Sequence, residues 1–504
     1  MQQSDSENTQ GQNKAVIVGA GLVGCLLGLF LAKKHSHLFP DGIEVYERRG
    51  DPRKEKGGAG RSINLALSNR SFKSLDSVDP ELTQEIIRHG CKMFARYIHS
   101  RNAPYPCEYQ PYGQKHQYIL SIDRQWLNNF LLSKLEENPN VKVYFQYTKV
   151  IQSTQTEFFG PTEFTNLQFL DETTQKIHIT RCRLVFGCDG ANSALRTSLA
   201  SHPKTRMCFS QTIMPYAYKE LRINPDPKTG DFAMRSDCFH VWPRNRFTLI
   251  ALANPTKDFT VTFFSDLNNN NTNGNPSHGA FSELDTDEKV INFFKTEFGD
   301  AYELMKDNLL QDWKKNPTSS LFHAECNPYY LEDKVVLLGD AAHAIVPFYG
   351  QGANCGLEDC RIISEFLSEL KSLSDRAQVK KVLQQYSAFR KPSCDAISEL
   401  SRENFEVLVA KTASKSFVIQ KKFGIFLNHL FPNWYKPIYT MVTFSPDISY
   451  AEALKRHRNQ EKWTKRIISF ATVSVVASSL YFGGKYLFKE KKISWIKKIL
   501  SNRS

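Results

Sequence analysis

Three short sequences carry atoms suited to holding a phosphorylated, hydroxyl-rich cofactor. The first is Gly19-Ala20-Gly21-Leu22-Val23-Gly24, which follows the apolar run KAVIV and opens the apolar stretch CLLGLFLAKK. In a strand–turn–helix setting Gly19 permits the tight turn, Gly21 lets the backbone approach a pyrophosphate, and Gly24 lets helix and strand pack closely. The free N–H groups and dipole of the helix then hold phosphates. Glu47 ends the next apolar run, 23 residues after Gly24. That is close to the ~20-residue spacing of a carboxylate that takes a ribose hydroxyl, although a solvated strand end would look the same. The second sequence, Gly187-Cys188-Asp189-Gly190, could alone be an ordinary Asp-Gly turn. The third, Gly339-Asp340, follows VVLL and precedes a helix. Its acid could bind the hydroxyls of a sugar-alcohol chain or simply cap the helix. Their co-occurrence in this order favours the cofactor reading of all three. There is one GxGxxG, so a second nucleotide would have to bind without a Rossmann unit of its own. His99 and His343 invite a general-base reading, but the His and Cys residues lack ligand spacing, so no metal is expected.

These motifs need elements to hold them. The runs around 14–47 form an opening β-α-β, 124–137 reads as a helix, and VKVYF at 141–145 as a strand. From about 205 to 320 the runs FHVWP, RFTLIAL and FTVTFF indicate an antiparallel sheet. The nucleotide-binding elements are separated by other material. The expected organisation is a flexible arm (1–13), an FAD-type dinucleotide domain in two parts (14–204 and 326–380) and a substrate-binding β-sheet domain (205–325). A helical region (381–460) and a tail (461–504) follow.

With 504 residues, 41% of them hydrophobic and 23% charged, the chain is long enough for a large core. That balance excludes wholesale disorder, a collagen-like chain and a multi-span membrane protein. Eleven Cys, an odd number without a CxxC pair, fit a reducing compartment rather than a disulfide framework. Residues 451–504 hold thirteen Lys/Arg against three Asp/Glu, so the tail accounts for ten of the thirteen net positive charges. The rest of the chain carries no basic stripe suited to nucleic acid. Within the tail, 467–484 is an 18-residue charge-free stretch with basic flanks. As a helix it would span about 27 Å, and it reads as one transmembrane anchor, about 467–484, near a ~30 Å hydrocarbon core. A buried or interfacial helix is the alternative.

Longer runs carry a resemblance. They are Arg61–Ser68 (RSINLALS), Ala95–Ser100 (ARYIHS), Pro111-Tyr112-Gly113, Gln117–Ser121 (QYILS) and His240–Asn245 (HVWPRN). The others are Leu338–Phe348 (LGDAAHAIVPF) and Tyr439–Ser445 (YTMVTFS). From about residue 14 to 485 the chain resembles the single-component FAD-dependent aromatic hydroxylases of the p-hydroxybenzoate hydroxylase fold, and among them the kynurenine 3-monooxygenase family. The resemblance implies an α/β fold. It would join a Rossmann-like FAD-binding domain to a mixed or antiparallel β-sheet substrate domain and a C-terminal helical region. It implies bound FAD, NADPH as co-substrate, O2, and conversion of L-kynurenine to 3-hydroxy-L-kynurenine in tryptophan catabolism, towards quinolinate and NAD. It further implies the outer mitochondrial membrane, with the catalytic body facing the cytosol. Cofactor contacts carry over to Gly19, Gly21, Val23, Gly24, Tyr46, Glu47, Arg48, Arg49, Ala66, Arg124, Asp189, Asp340, Ala353 and Asn354. Substrate contacts carry over to Arg96, Tyr112, Asn404 and Tyr439. Asn404 is flanked by Arg-Glu and Phe405, a departure from the family pattern. No protein side chain is expected to be catalytic, because a flavin hydroperoxide carries the oxygen. Pro347, Phe348 and Gly350 belong to the loop expected near the flavin. Another aromatic hydroxylase, a flavin oxidase, or a non-catalytic escort protein of the same broad fold remain the alternatives.

Overall fold

The computed structural model describes residues 13–54, 64–99, 107–112, 116–150, 163–201, 205–244, 246–268, 279–406, 424, 427–428, 430–431 and 434–501. Arg61–Ile63, Ser100, Gly113 and Asn245 of the quoted motifs lie outside these residues.

A six-stranded sheet carries the glycine turns. Its strand order is Tyr330–Leu331, Val335–Leu337, Leu184–Gly187, Ala15–Val18, Ile43–Glu47 and Val141–Phe145. All neighbours are parallel except the first pair. Strands Ala15–Val18, Leu184–Gly187 and Val335–Leu337 are buried throughout. That is why each reads as an unbroken apolar run rather than an alternating one. The helix Leu22–Lys34 is also buried along most of its length and packs on the helix Arg124–Glu136.

A mixed seven-stranded sheet forms the second layer. Its order is Ser319–Asn327, Cys208–Ile223, Phe259–Asp266, Phe247–Ala253, Cys238–Arg244, Ala95–Ile98 and Glu108–Pro111. The sheet therefore draws two strands from far upstream of the 205–320 run. Ala95–Ile98 enters parallel to Cys238–Arg244, with Arg96 opposite Phe239. One face buries Trp242, Phe247, Phe263, Phe293, Phe294 and Phe298, closed by the helices Asp287–Glu297 and Gly299–Met305. A smaller cluster of Met93, Tyr112, Ile119, Leu252 and Phe444, with Ala66 and Tyr439 against it, joins this sheet to the short sheet Leu65–Leu67, Ile119–Ile122, Cys91–Met93.

The chain divides into two compact units, 1–414 with 439–451, and 415–438 with 452–504. The second unit is dominated by the helix that begins at Tyr450 and runs to Ser501. Among the described residues no helix is long and apolar enough to cross a membrane. The expected anchor at 467–484 is therefore not supported. The side chains at 470–473, 475–476 and 482–484 lie outside the description, and what remains is interrupted by Ser469, Ser474, Ser478 and Ser479.

Candidate active site

The parallel sheet brings the three glycine turns into one line. Val18 pairs with Gly187, and Gly187 with Leu337, so the residues that follow leave the sheet side by side at its carboxyl edge. Backbone bonds lace them together: Gly19 N–H to Tyr46 O, 2.8 Å; Cys188 N–H to Val18 O, 2.8 Å; Leu338 N–H to Gly187 O, 2.9 Å. This edge is where open parallel sheets bind ligands.

Two glycines there are required by close approach. A Cβ at Gly24 would overlap the carbonyl oxygen of Gly19, which itself sits at φ +104°. A Cβ at Gly339, φ +57°, would stand 2.9 Å from Val23 Cγ2. The turn before Asp340 is thus packed on the first helix, although more than three hundred residues separate them. A Cβ at Gly21 meets nothing within 4 Å, which leaves open the place a pyrophosphate needs. Asp189 accepts the Leu195 N–H at 3.0 Å, while its other carboxylate oxygen is buried without a partner. Burial raises the Asp189 carboxyl above the ordinary carboxylate range. An open backbone cradle with an unsatisfied acid beside it fits a dinucleotide bearing hydroxyl groups, and so fits FAD.

The other expected cofactor residues divide by how much of the side chain is free. Glu47 accepts the N–H groups of Ala20 and Arg49, both at 3.0 Å, and so closes the rim of the turn. Arg48, Arg49 and Arg124 are exposed. Arg124 opens the helix whose Asn128 reaches Ala20 O at 3.3 Å. Tyr46 is committed to the core, its ring stacked 4.1 Å from Phe169 and its hydroxyl donating to Glu44 at 2.8 Å. Only its backbone faces the turn. Asn354 is committed likewise. It donates to Ala66 O (2.9 Å) and Gly350 O (2.8 Å), and accepts from Ser68 N–H (2.8 Å), Ser68 Oγ (2.9 Å) and Ser71 Oγ (2.7 Å). With its side chain saturated, Asn354 and Ala353 offer a ligand the N-terminal backbone of the helix Gly352–Leu367. Asp340 is half-buried and starts the short helix Asp340–His343.

On the other side stands a cationic aromatic wall. The Arg96 guanidinium lies 4.2 Å from the Tyr439 ring centre and 6.0 Å from that of Tyr112, whose ring stacks on Tyr439 at 5.5 Å. Tyr349 also stacks on Tyr439, at 5.9 Å. Burial disfavours the Arg96 charge, yet Tyr439 and Tyr112 outweigh it and hold the guanidinium above its ordinary value. Burial raises the Tyr112 hydroxyl well above its usual range, so it stays neutral. That hydroxyl has no hydrogen-bond partner of good geometry. Among the described residues no carboxylate pairs with Arg96. Asn404 joins the site indirectly: it donates to Phe348 O at 2.7 Å and pins the Pro347–Tyr349 turn. Beyond that turn Gly350 adopts φ +65° beside Ala66.

Several groups were not legible as site residues. Tyr349 lies inside the expected flavin loop, but only the fold stacks it on Tyr439. His343, Cys355, Asp359 and Cys394 converge within 4.8 Å in the buried interior, although no spacing announced them. Asp359 is already bound by His343 (2.6 Å) and Arg390 (2.6 Å), and Arg390 stands 3.1 Å from Cys355 Sγ. A cation there would face a buried guanidinium, so the cluster serves as an ionic knot under the Gly339 turn. His99 is equally committed, bonded to Asp300 at 2.7 Å and to His240 at 2.9 Å. Neither histidine faces Arg96 or the tyrosines as a free base.

Comparison with known proteins agrees with this geometry. An FAD binding domain family model matches residues 12–401. The kynurenine 3-monooxygenase of Caenorhabditis elegans is 37% identical over 94% of this chain and 98% of its own length. That of Sus scrofa is 37% identical over 95% and 93%. Among solved structures, pqsL, a probable FAD-dependent monooxygenase from Pseudomonas aeruginosa, shares the fold with a TM-score of 0.59. It is 16% identical and covers 79% of this chain and 97% of its own. The glycine-lined cradle, the arginine–tyrosine wall and these relationships over nearly the whole length place the chain in the kynurenine 3-monooxygenase family of FAD-dependent monooxygenases.

Proposed function

We propose that this enzyme hydroxylates L-kynurenine to 3-hydroxy-L-kynurenine, with FAD bound, NADPH as reductant and O2 as oxygen donor. The observation that carries the substrate is Arg96. A half-buried guanidinium without a carboxylate neighbour calls for an anion from outside the chain. The α-carboxylate of an amino acid meets its planar fork in bidentate fashion, and the unpaired Tyr112 hydroxyl supplies a further donor. The stacked rings of Tyr112, Tyr439 and Tyr349 give an aminophenyl ring an aromatic edge to pack against.

The three turns would hold FAD, which when bound would supply oxygen activation. The chain's own residues orient the substrate and exclude water. Tyr112, Phe444 and Leu252, with Tyr439 packed against them, form one apolar cluster beside Arg96, which would keep water from the substrate around the polar groups that fix its carboxylate. The substrate's amino group already activates its ring, so no protein base is required at the reacting carbon. Incubation with kynurenine, NADPH and air should yield a product heavier by one oxygen, identified by mass spectrometry. A panel of other aromatic acids, one of them oxidised faster than kynurenine, would reject this substrate.

The location we propose is the outer mitochondrial membrane, with the catalytic body facing the cytosol. It rests on the tail's thirteen Lys/Arg against three Asp/Glu, a balance drawn to anionic lipid. Cell fractionation tests it, and an enzyme recovered in the soluble fraction at low salt rejects it.

A further inference from the structure

Arg70 belongs to neither set of expected contacts, yet it touches both halves of the site. It lies in the helix Asn69–Val78 and is 1% exposed. Toward the substrate side its Nε donates to Val442 O at 2.6 Å, and Nη2 donates to Met441 O at 3.3 Å and to Ile448 O. Met441 and Val442 lie in the last turns of the helix Ile438–Phe444, which carries Tyr439. A cation placed over these carbonyls satisfies groups the helix cannot bond itself and matches its dipole. Asn69 adds a bond to Phe444 O at 3.3 Å, and the Tyr450 ring lies 3.9 Å from the Arg70 guanidinium.

Toward the cofactor side, Arg70 Nη1 donates to Glu358 Oε1 at 2.9 Å. Arg390 Nη1 donates to the other Glu358 oxygen at 2.9 Å, and its Nε to Asp359 Oδ1 at 2.6 Å. Asp359 Oδ2 accepts the Gly339 N–H at 2.8 Å. An unbroken, alternating line of buried charges therefore runs from the helix of Tyr439 to the turn of Asp340. Removing any member strands a buried opposite charge.

We propose that Arg70 is a positioning residue for the hydroxylation, fixing the tyrosine wall that holds the substrate ring at a set distance from the cofactor turn. The inference rests on the substrate reading given above. A helix free to shift by a fraction of its own turn would misplace the ring relative to the activated oxygen. Oxygen would then leave as hydrogen peroxide, reduced by the two electrons of NADPH with two protons, without substrate being hydroxylated.

The test compares full-length FAD-loaded wild type with Arg70→Lys, which keeps the charge facing Glu358 but cannot span both sets of acceptors. Product formed per O2 consumed should fall about tenfold, and KM for kynurenine should rise, while the flavin stays bound. The ratio does not depend on how much protein is folded, so mere destabilisation leaves it unmoved. An unchanged ratio and KM overturn the proposal. If Arg70→Lys fails to fold, Glu358→Gln decides: it keeps the contacts to the helix and breaks the line at its centre. A fall of about threefold in the same ratio is expected, and no fall overturns the proposal. Should wild type leave kynurenine unchanged, the substrate reading fails alone. The Arg70 tie is then read from the fluorescence anisotropy of bound flavin, which must drop in Arg70→Lys or the tie is rejected.

Discussion

The cofactor edge and the substrate wall solve opposite problems. The edge is made of backbone: what matters at Gly19, Gly24 and Gly339 is the absence of a side chain, and even Tyr46 and Asn354 leave only main chain to the ligand. The wall is made of side chains, with Arg96, Tyr112, Tyr349 and Tyr439 each supplying a charge, a face or a hydroxyl. A cofactor common to many enzymes suits the first construction, because phosphate and sugar are read by N–H groups and shape. A particular substrate needs the second. Substitutions on the edge should therefore abolish cofactor binding, and those on the wall should change affinity while the cofactor stays.

The largest effect is expected at the edge. Gly24→Ala puts a methyl group into the Gly19 carbonyl, and no rotamer relieves it. FAD binding should weaken by about 1,000-fold or vanish, giving colourless protein after gel filtration. A yellow Gly24→Ala protein would break the contrast. On the wall, Arg96→Met should raise KM for kynurenine by about 100-fold through loss of a charged hydrogen-bond pair. The flavin spectrum should stay unchanged. If flavin is lost as well, the two regions are not separable.

Acid sharpens the comparison, because each layer contains a histidine whose protonation burial opposes. Burial pushes both His35, beside the first helix, and His240, in the mixed sheet, down to about 4. The unfolded chain takes up protons near pH 6.5, the folded one only near 4. Their contribution is therefore complete above pH 6.5 and is lost as pH falls from there to 4. His240→Asn should remove about 2 kcal/mol of that pH dependence, seen in urea melts at pH 7 and pH 4.5. A parallel pair of curves for mutant and wild type would refute it. The smallest effect belongs to Tyr112→Phe. Its hydroxyl has no partner of good geometry within the chain, so the fold should lose nothing. KM should rise about tenfold, the low end of the worth of one hydrogen bond to a carboxylate. A change in melting temperature without a change in KM would assign the hydroxyl to the fold instead.

The same contrast explains what could be read in advance. The glycine turns are local requirements, stated within six residues, and the buried parallel strands announce themselves as apolar runs. Asp189 and Asp340 follow such runs and gain meaning from their order. Arg96, Tyr112 and Tyr439 are scattered over more than three hundred positions, and no spacing connects them; the family resemblance alone named them. That resemblance also assigned Asn354 to the cofactor without indicating that five internal hydrogen bonds occupy its side chain. Arg70 was missed although it lies two residues past the quoted RSINLALS motif, because its partners are carbonyls at 441, 442 and 448. The expected anchor in the tail finds no support among the described residues for a different reason. Freedom from charge is a weaker signal than apolarity, and serines intersperse the expected span.

The strand Ala95–Ile98 has a further implication. It lies parallel against Cys238–Arg244, whereas Val141–Phe145, synthesised between the two, belongs to the other sheet. A nascent chain cannot seat Ala95–Ile98 in the mixed sheet until residue 244 has emerged, and by then four of the six strands of the nucleotide layer are already available. Long-range pairing of this kind is slow to close. The two layers must mature together, and a gene cut between them would encode fragments with open edges rather than two working modules.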